Sequence, residues 1–402
     1  VLPAQTFIVP PADAPRGLFV SCRFDGNERT EQLYANVDER TGLARPLPGQ
    51  PVQGFSGIRH LGDGRFLLLS DNGFGSRANS ADAMLMLHIA CPDWSAGRLH
   101  LERTLFLSDP DRVIPYPITT EHGDARYLNG ADLDPEGVQP VGDGYWIGDE
   151  FGPYLIGFDD EGRVTSFVET AAGGLLVQSP DHHRLALPAD PGEAAPGFNL
   201  RRSRGYEGLA LGTDGTTLLP MLEGQLFDLE AGTFETKGGR PVLRLMRFDT
   251  TGGGWADAIR YYPLEDAGHA IGDVNMIDER RALVIERDWL EGDARLGAAE
   301  LAAFKRIYLV DLEATDADGV VGKLGYVDLL AIADPDGIGR TGSMDGVFRL
   351  PFVTIESVDV VDDRHIVVGN DNSYPGSTGR APGEADDNEL VLLEVEALLA
   401  MR

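Results

Sequence analysis

Pro135-Glu136-Gly137-Val138 leads through Gly142-Asp143-Gly144 into Tyr145-Trp146-Ile147-Gly148-Asp149-Glu150. A Gly-Asp-Gly turn between runs of strand-forming residues is the pattern of a tight hairpin, because glycine supplies the positive φ such turns need. The unit returns along the chain. Phe55-Ser56-Gly57-Ile58 passes through Gly62-Asp63-Gly64 to Phe66-Leu67-Leu68-Leu69-Ser70-Asp71, and Tyr206-Glu207-Gly208-Leu209 through Asp214-Gly215 to Leu222-Glu223. Val274-Asn275-Met276 passes through Asp278-Glu279-Arg280 to Val284-Ile285-Glu286, and Ile355-Glu356-Ser357 through Asp362-Asp363-Arg364 to Gly369-Asn370-Asp371.

Second pairs of strand-like runs lie between these hairpins, at residues 84–89 with 99–107, 155–158 with 164–168, 242–248 with 258–262, and 306–312 with 323–329. An inner and an outer hairpin make a four-stranded antiparallel sheet, and its return about every 70 to 80 residues is the pattern of a β-propeller with long insertions. The expected fold is all-β: a propeller of five or six four-stranded blades, with few short helices in long loops, formed by residues 1–402 as one domain. Segments 1–50 (strand 18–24) and 388–402 (strand 389–395) are the candidates for completing or closing the ring. Residues 294–306 and 396–402 read as helices. Two stacked β-sandwich domains are the rival architecture, disfavoured by the regular alternation of hairpins.

Composition removes whole classes of function. Lys plus Arg is 34 against 65 for Asp plus Glu, a formal charge of −31, which repels a phosphate backbone; nucleic acid is not an expected partner. No apolar run reaches the roughly 18 to 20 residues of a membrane-spanning helix. The chain opens on Val1 rather than Met, which reads as a mature or trimmed start compatible with export. Cys22 and Cys91 can form a disulfide or remain two thiols; the sequence leaves this open, as it does the oligomeric state. There is no Gly-x-Ser-x-Gly elbow and no phosphate-binding Gly-x-x-x-x-Gly-Lys loop, so the chemistry those motifs carry is not indicated.

Polar residues flank each inner hairpin at matched distances from its turn: Ser56 with Asp71, Glu136 with Asp149, Glu207 with Glu223, Asn275 with Glu286, and Glu356 with Asp371. Residues equidistant from a turn lie side by side at the open end of an antiparallel hairpin. Radially arranged hairpins would therefore gather Asp71, Glu136, Asp149, Glu207, Asn275, Glu286, Glu356 and Asp371 at one mouth of the central channel. Carboxylates crowded away from water raise one another's pKa, and a hard cation relieves that. Oxygen donors without a cluster of His or Cys favour Ca²⁺, so these eight residues are the expected metal ligands. In a chain with 65 acidic residues one such pair would be chance; five pairs carry the reading. The long connections, residues 108–131, 171–204, 287–305, 331–352 and 372–388, leave from the same ends, where substrate specificity is expected. Arg59, His60, Arg77, Arg126, Arg204, His269, Arg287 and Lys305 lie in or beside them, and each has ion pairing with a neighbouring carboxylate as its plainer role. His122 and the pair His182-His183 read as loop histidines, and no zinc-ligand spacing is present.

The ordered motifs resemble a known family. Asp134-Pro135-Glu136-Gly137, Trp146-Ile147-Gly148-Asp149-Glu150-Phe151-Gly152-Pro153, Arg204-Gly205-Tyr206-Glu207-Gly208-Leu209-Ala210, Glu286-Arg287-Asp288, Lys305-Arg306-Ile307-Tyr308 and Asn370-Asp371-Asn372 are together similar to the phytase-like family described as having esterase-like activity of phytase. Ser203 and Ser373 stand where that pattern favours Asn. The resemblance implies a bacterial propeller hydrolase, secreted or periplasmic, acting on small anionic esters, with Ca²⁺ as cofactor. In the phosphate-ester reading Arg287, Arg204 and Lys305 neutralise charge on the reacting group while Glu150 or His269 handles the proton. A Ca²⁺-dependent lactonase or carboxylesterase, and a non-catalytic binding propeller with a structural metal, are the alternatives.

Overall fold

Runs such as Phe66-Leu67-Leu68-Leu69 do not alternate with polar residues, as expected of strands covered on both faces. The computed structural model describes residues 1–14, 24–25, 28–29, 37–44, 47–185 and 197–402, and there the alternate residues of this run enter different cores. Leu67 and Leu69 pack with Val138, Ile147 and Ile156, whereas Phe66 and Leu68 pack with Val367 and Leu390. Every sheet junction repeats the arrangement, so one apolar cluster lies between each pair of neighbouring sheets.

The sheets follow chain order. Blade one comprises Phe55–Gly62, Arg65–Ser70, Met86–Asp93 and Arg98–Phe106; blade two, Pro135–Val141, Gly144–Asp149, Tyr154–Phe158 and Val164–Glu169. Blade three is built on Tyr206–Leu211, Thr217–Leu222, Arg240–Leu245 and Arg260–Pro263, and blade four on Ala270–Met276, Arg281–Arg287, Lys305–Thr315 and Val321–Asp328. Blade five has Thr354–Val360, His365–Asp371 and Leu390–Glu394. The first strand of each blade touches the first strand of the next, and that of blade five returns to blade one. The described residues thus form a five-bladed β-propeller whose innermost strands surround a central axis.

Two expectations are corrected. The fifth blade has three strands among the described residues, and the N-terminal segment meets it through the paired backbone groups of Leu2 and Asn388 and the packing of Leu2 and Val52 with Val367 and Leu390; residues 18–23 of the expected closing strand lie outside the described residues. Residues 294–306 do not form a helix. A single 3₁₀ turn, Ala294–Leu296, starts where Asp293 accepts the Arg295 N–H and stops at Gly297, whose φ is 87°, and Lys305 already begins a strand. Ala and Leu content is a weak signal that such caps override. The terminal helix is present at Glu396–Leu399, with Leu398 and Leu399 packed into the junction of blades four and five. Cys22 lies outside the described residues, and Cys91 is a free, half-buried thiol. No described helix is long and apolar enough to cross a membrane.

The inner strands approach closely enough to demand glycine. A Cβ on Gly272 of blade four would meet the Ile355 carbonyl oxygen of blade five at 1.9 Å. Gly272→Ala is therefore expected to cost about 1–3 kcal/mol, the usual range for overpacking, read as a lowered urea midpoint; an unchanged midpoint would contradict this close approach.

Candidate functional site

A single extra residue shapes what each inner strand presents to the axis. In every blade the pairing of the first two strands slips by one near the start of the inner strand, and the skipped residues are Ser56, Glu136, Glu207, Gly272 and Glu356. A β-bulge re-aims its side chain and bends the strand. Opposite each bulge, the second strand ends in the equivalent residues Asp71, Glu150, Glu223, Arg287 and Asp371, one position beyond the partner of the residue before the bulge. The mouth thus carries two tiers. The first has three glutamates, a serine and a glycine; the second has four carboxylates and one arginine.

Blade four breaks the acidic pattern. There Gly272 contributes no side chain and Arg287 supplies the counter-charge, 2% exposed, with its Nη2 donating to Glu356 Oε1 at 2.9 Å, Glu207 Oε1 at 3.1 Å and Glu223 Oε1 at 3.4 Å. Arg204 at the rim donates to Glu223 Oε2 at 2.6 Å and stands 3.8 Å from Glu150. The exposed Trp289 ring lies 4.3 Å from the Arg287 guanidinium and 4.5 Å from that of Arg204, a cation–π cover over both.

The oxygens are spaced for a hard cation. Three triads, Glu136/Glu207/Glu356, Glu150/Glu207/Glu223 and Asp71/Asp134/Glu136, each have one oxygen per residue within 4.8 Å of the others. Two ligands at the 2.3–2.6 Å typical of calcium stand at most about 5 Å apart. Glu136 Oε2 is buried without a hydrogen-bond partner, a state that costs free energy unless a ligand relieves it. The donor set therefore fits Ca²⁺.

Burial dominates the electrostatics, and crowding adds to it. Burial first, and the Asp371 carboxylate second, push Asp71 up to about 7 and Glu356 up to about 8. Burial followed by the nearest carboxylate also raises Asp134, Glu136, Glu150 and Glu207 well above the ordinary range. Burial alone would depress Arg287, but Glu356, Glu207 and Glu223 hold it above its usual value. Acids with raised folded pKa values keep protons that the unfolded chain has released, so between about pH 4 and about pH 8 the folded state binds more protons and stability falls as pH rises. In chelator, the melting temperature is expected to drop across that window, and calcium to restore it most at the alkaline end, where binding displaces fewest protons. A flat or rising melting profile in chelator would contradict the crowded cluster.

Most sequence-derived candidates converge here: Asp71, Glu136, Glu150, Glu207, Arg204, Arg287, Glu356 and Asp371. Three ligand candidates, one acid–base candidate and one charge-neutralising candidate do not, each for a local reason. Asn275 lies farther along the inner strand, where its Oδ1 accepts from Arg59 and Gln139 and its amide donates to Asp273 and Val358. Glu286 precedes Arg287, so strand alternation turns it to the other face. There it is bound by Tyr262, Lys323, the Glu265 N–H and His269, which also removes His269 from the mouth. Asp149 accepts the Asp134 and Gly152 N–H groups and braces the turn behind Glu150. Lys305 is fully buried, tied to the Asp288 carboxylate and the Asp288 and Val353 carbonyls. It straps the loop carrying Trp289 and does not touch the carboxylates. Burial, with help from Arg287, lowers it to about 8. Arg126 is an ordinary ion-pairing residue, bound to Asp109 and Glu121. Two members were not among the sequence candidates: Asp134, two residues before the blade-two bulge, and Glu223, visible as the partner of Glu207 in the spacing.

The chain matches the family model described as phytase-like, esterase-like activity of phytase, over residues 50–374. An uncharacterized secreted protein of Arthroderma benhamiae is 28% identical over 182 residues, 37% of this chain and 35% of that relative, so the match spans about a third of the relative's length. Among solved structures, a GH43 β-1,3-galactosidase aligns with TM-score 0.42 and 9% identity, covering 89% of this chain and 60% of the other. The periplasmic gluconolactonase of Pseudomonas aeruginosa aligns with TM-score 0.32 and 11% identity, covering 90% and 94%.

Proposed function

Because the chain belongs to the phytase-like family with esterase-like activity of phytase, we propose that it is a hydrolase of small anionic esters, phosphate esters first, working at the carboxylate-lined mouth with Ca²⁺ held by Glu136, Glu207 and Glu356. Asp71, Asp134 and Asp371 on one side and Glu223 on the other extend that donor set. The observation that carries the reading is the pairing of opposite needs in one cluster. Glu136 Oε2 is an unpartnered acceptor, and Nε and Nη1 of Arg287 are unpartnered donors.

A cation bound there supplies positive charge and polarises an ester oxygen. The protein's own groups do the rest. Arg287 keeps the N–H groups of Nε and Nη1 free for the oxygens of an anionic substrate while Nη2 stays anchored by three glutamates, and a guanidinium fork suits phosphoryl oxygens. Arg204, a third exposed at its side chain, meets the substrate at the rim. Trp289 narrows the entrance over both arginines and limits water. Glu150, which burial and the Glu223 carboxylate raise well above the ordinary carboxylate range, is placed in this reading to give a proton to the leaving oxygen. Export from the cell belongs to the proposal too, supported by the name of the fungal relative.

Phosphate release from aryl phosphates and inositol phosphates is expected with calcium and lost in chelator. Turnover confined to lactones or aryl carboxylates would move the reading to carboxylic esters. Turnover indifferent to chelator would reject the metal mechanism, and calcium binding without any turnover would leave a binding propeller.

A further inference from the structure

A second donor cluster lies on blade two, outside the mouth. Glu169 ends the outermost strand, and the adjacent residues His182 and His183 fold back against it with their rings stacked at 4.9 Å. Both Nε2 atoms point at one carboxylate oxygen: His182 Nε2 is 3.5 Å and His183 Nε2 is 3.6 Å from Glu169 Oε1. These separations are long for hydrogen bonds. They match the roughly 3.4 Å between neighbouring corners of a tetrahedron whose centre is about 2.0–2.1 Å from each ligand. His182 is 2% exposed, and its Nε2 has no hydrogen-bond partner.

We propose that Glu169, His182 and His183 form a second metal site, selective for a borderline transition ion of the Zn²⁺ class over calcium. Two imidazole nitrogens and one carboxylate oxygen suit zinc, and an all-oxygen mouth suits calcium. The neighbouring groups serve the ligands. Tyr154 Oη lies 2.9 Å from His183 Nδ1, where it can hold that proton and free Nε2 for a metal. His182 Nδ1 accepts the Arg184 backbone N–H and faces the Gln178 amide, both at 3.2 Å; ligation through Nε2 moves the proton to Nδ1, which gives up the Arg184 bond and turns the Gln178 amide to accept instead. Arg184 grips both oxygens of Glu169 and fixes the carboxylate's orientation. Three protein ligands leave a fourth position, and both histidines line a cavity of about 290 Å³ shared with Arg77, Tyr116 and Asp181. That position is open to water or a small anion, the arrangement of reactive rather than purely structural zinc sites.

The test is calorimetric titration of the whole chain with Zn²⁺ in saturating calcium, with Co²⁺ absorption reporting the coordination geometry. One equivalent is expected to bind, with a tetrahedral cobalt spectrum. His182→Ala and His183→Ala are each expected to weaken binding about 100-fold, Tyr154→Phe less, within the 10–100-fold range for an outer partner. Glu207→Gln is expected to leave zinc binding unchanged. His183 is partly exposed, so if His182→Ala fails to fold, His183→Ala carries the test. No zinc binding above calcium, binding indifferent to both histidines, or binding lost only with Glu207→Gln would overturn the site.

Discussion

Arg287→Met is expected to lose about 3–5 kcal/mol of folding stability in calcium-free buffer at neutral pH, the range for stripping one partner from a buried ion pair. The guanidinium is enclosed by Glu207, Glu223 and Glu356, and Arg204 reaches only the Glu223 and Glu150 side. Methionine keeps much of the volume, so packing loss is small and the change isolates charge. Without Arg287 the three carboxylates must take up protons or separate. Near pH 5, where crowded acids are largely protonated already, the loss should shrink, and calcium should recover part of it at neutral pH. Urea unfolding at both pH values, with and without calcium, measures this. An equal loss under all four conditions would make Arg287 a packing residue.

Glu207→Gln should act in the opposite sense on the fold. Glu207 belongs to two of the three carboxylate triads, so replacing one of its oxygens with an amide is expected to weaken calcium binding about 100-fold or more, at or beyond the upper end of what losing an outer-shell partner costs, and to abolish ester hydrolysis. In calcium-free buffer at neutral pH the same variant should be at least as stable as the native chain, because one buried like charge is gone. Calcium titration and urea unfolding of one preparation give both signs. Lower stability with intact calcium affinity would mean that Glu207 is a structural partner of Arg287 alone.

How much of this the sequence discloses depends on the element. The hairpins were legible because glycine turns and continuous apolar runs are local signals, and the runs are continuous because each blade is covered by a neighbour on both faces. Convergence of Glu136, Glu207 and Glu356 followed from hairpin geometry. The register was legible in blades one, three and five, where the spacing pairs Ser56 with Asp71, Glu207 with Glu223 and Glu356 with Asp371, and not in blades two and four. A bulge adds one residue without a sequence signature of its own, so mirror spacing about the turn paired Glu136 with Asp149, whereas the structure sets Glu150 at the mouth and Asp149 behind it. Blade four misled most. Its bulged residue is Gly272, which offers no polar side chain, so the spacing singles out Asn275 and Glu286 as the pair, and Arg287 is reached only as a charge-neutralising candidate. Asp134 was hidden because it precedes the strand and reaches the cluster through the turn pairing of its carbonyl with the Glu150 N–H. His182 and His183 looked like loop residues because only the return of residues 177–185 onto blade two brings them to Glu169.

The bulged inner strands of blades two, three and five aim Glu136, Glu207 and Glu356 at one axial cation in this account. Anomalous diffraction from crystals grown with Tb³⁺ in place of Ca²⁺ tests it most directly. The expected result is a peak on the propeller axis within about 2.3–2.6 Å of oxygens from Glu136, Glu207 and Glu356, and its loss in Glu207→Gln crystals. A fully ordered mouth with no axial peak, its carboxylates bonded only to Arg287, Arg204 and water, would contradict it.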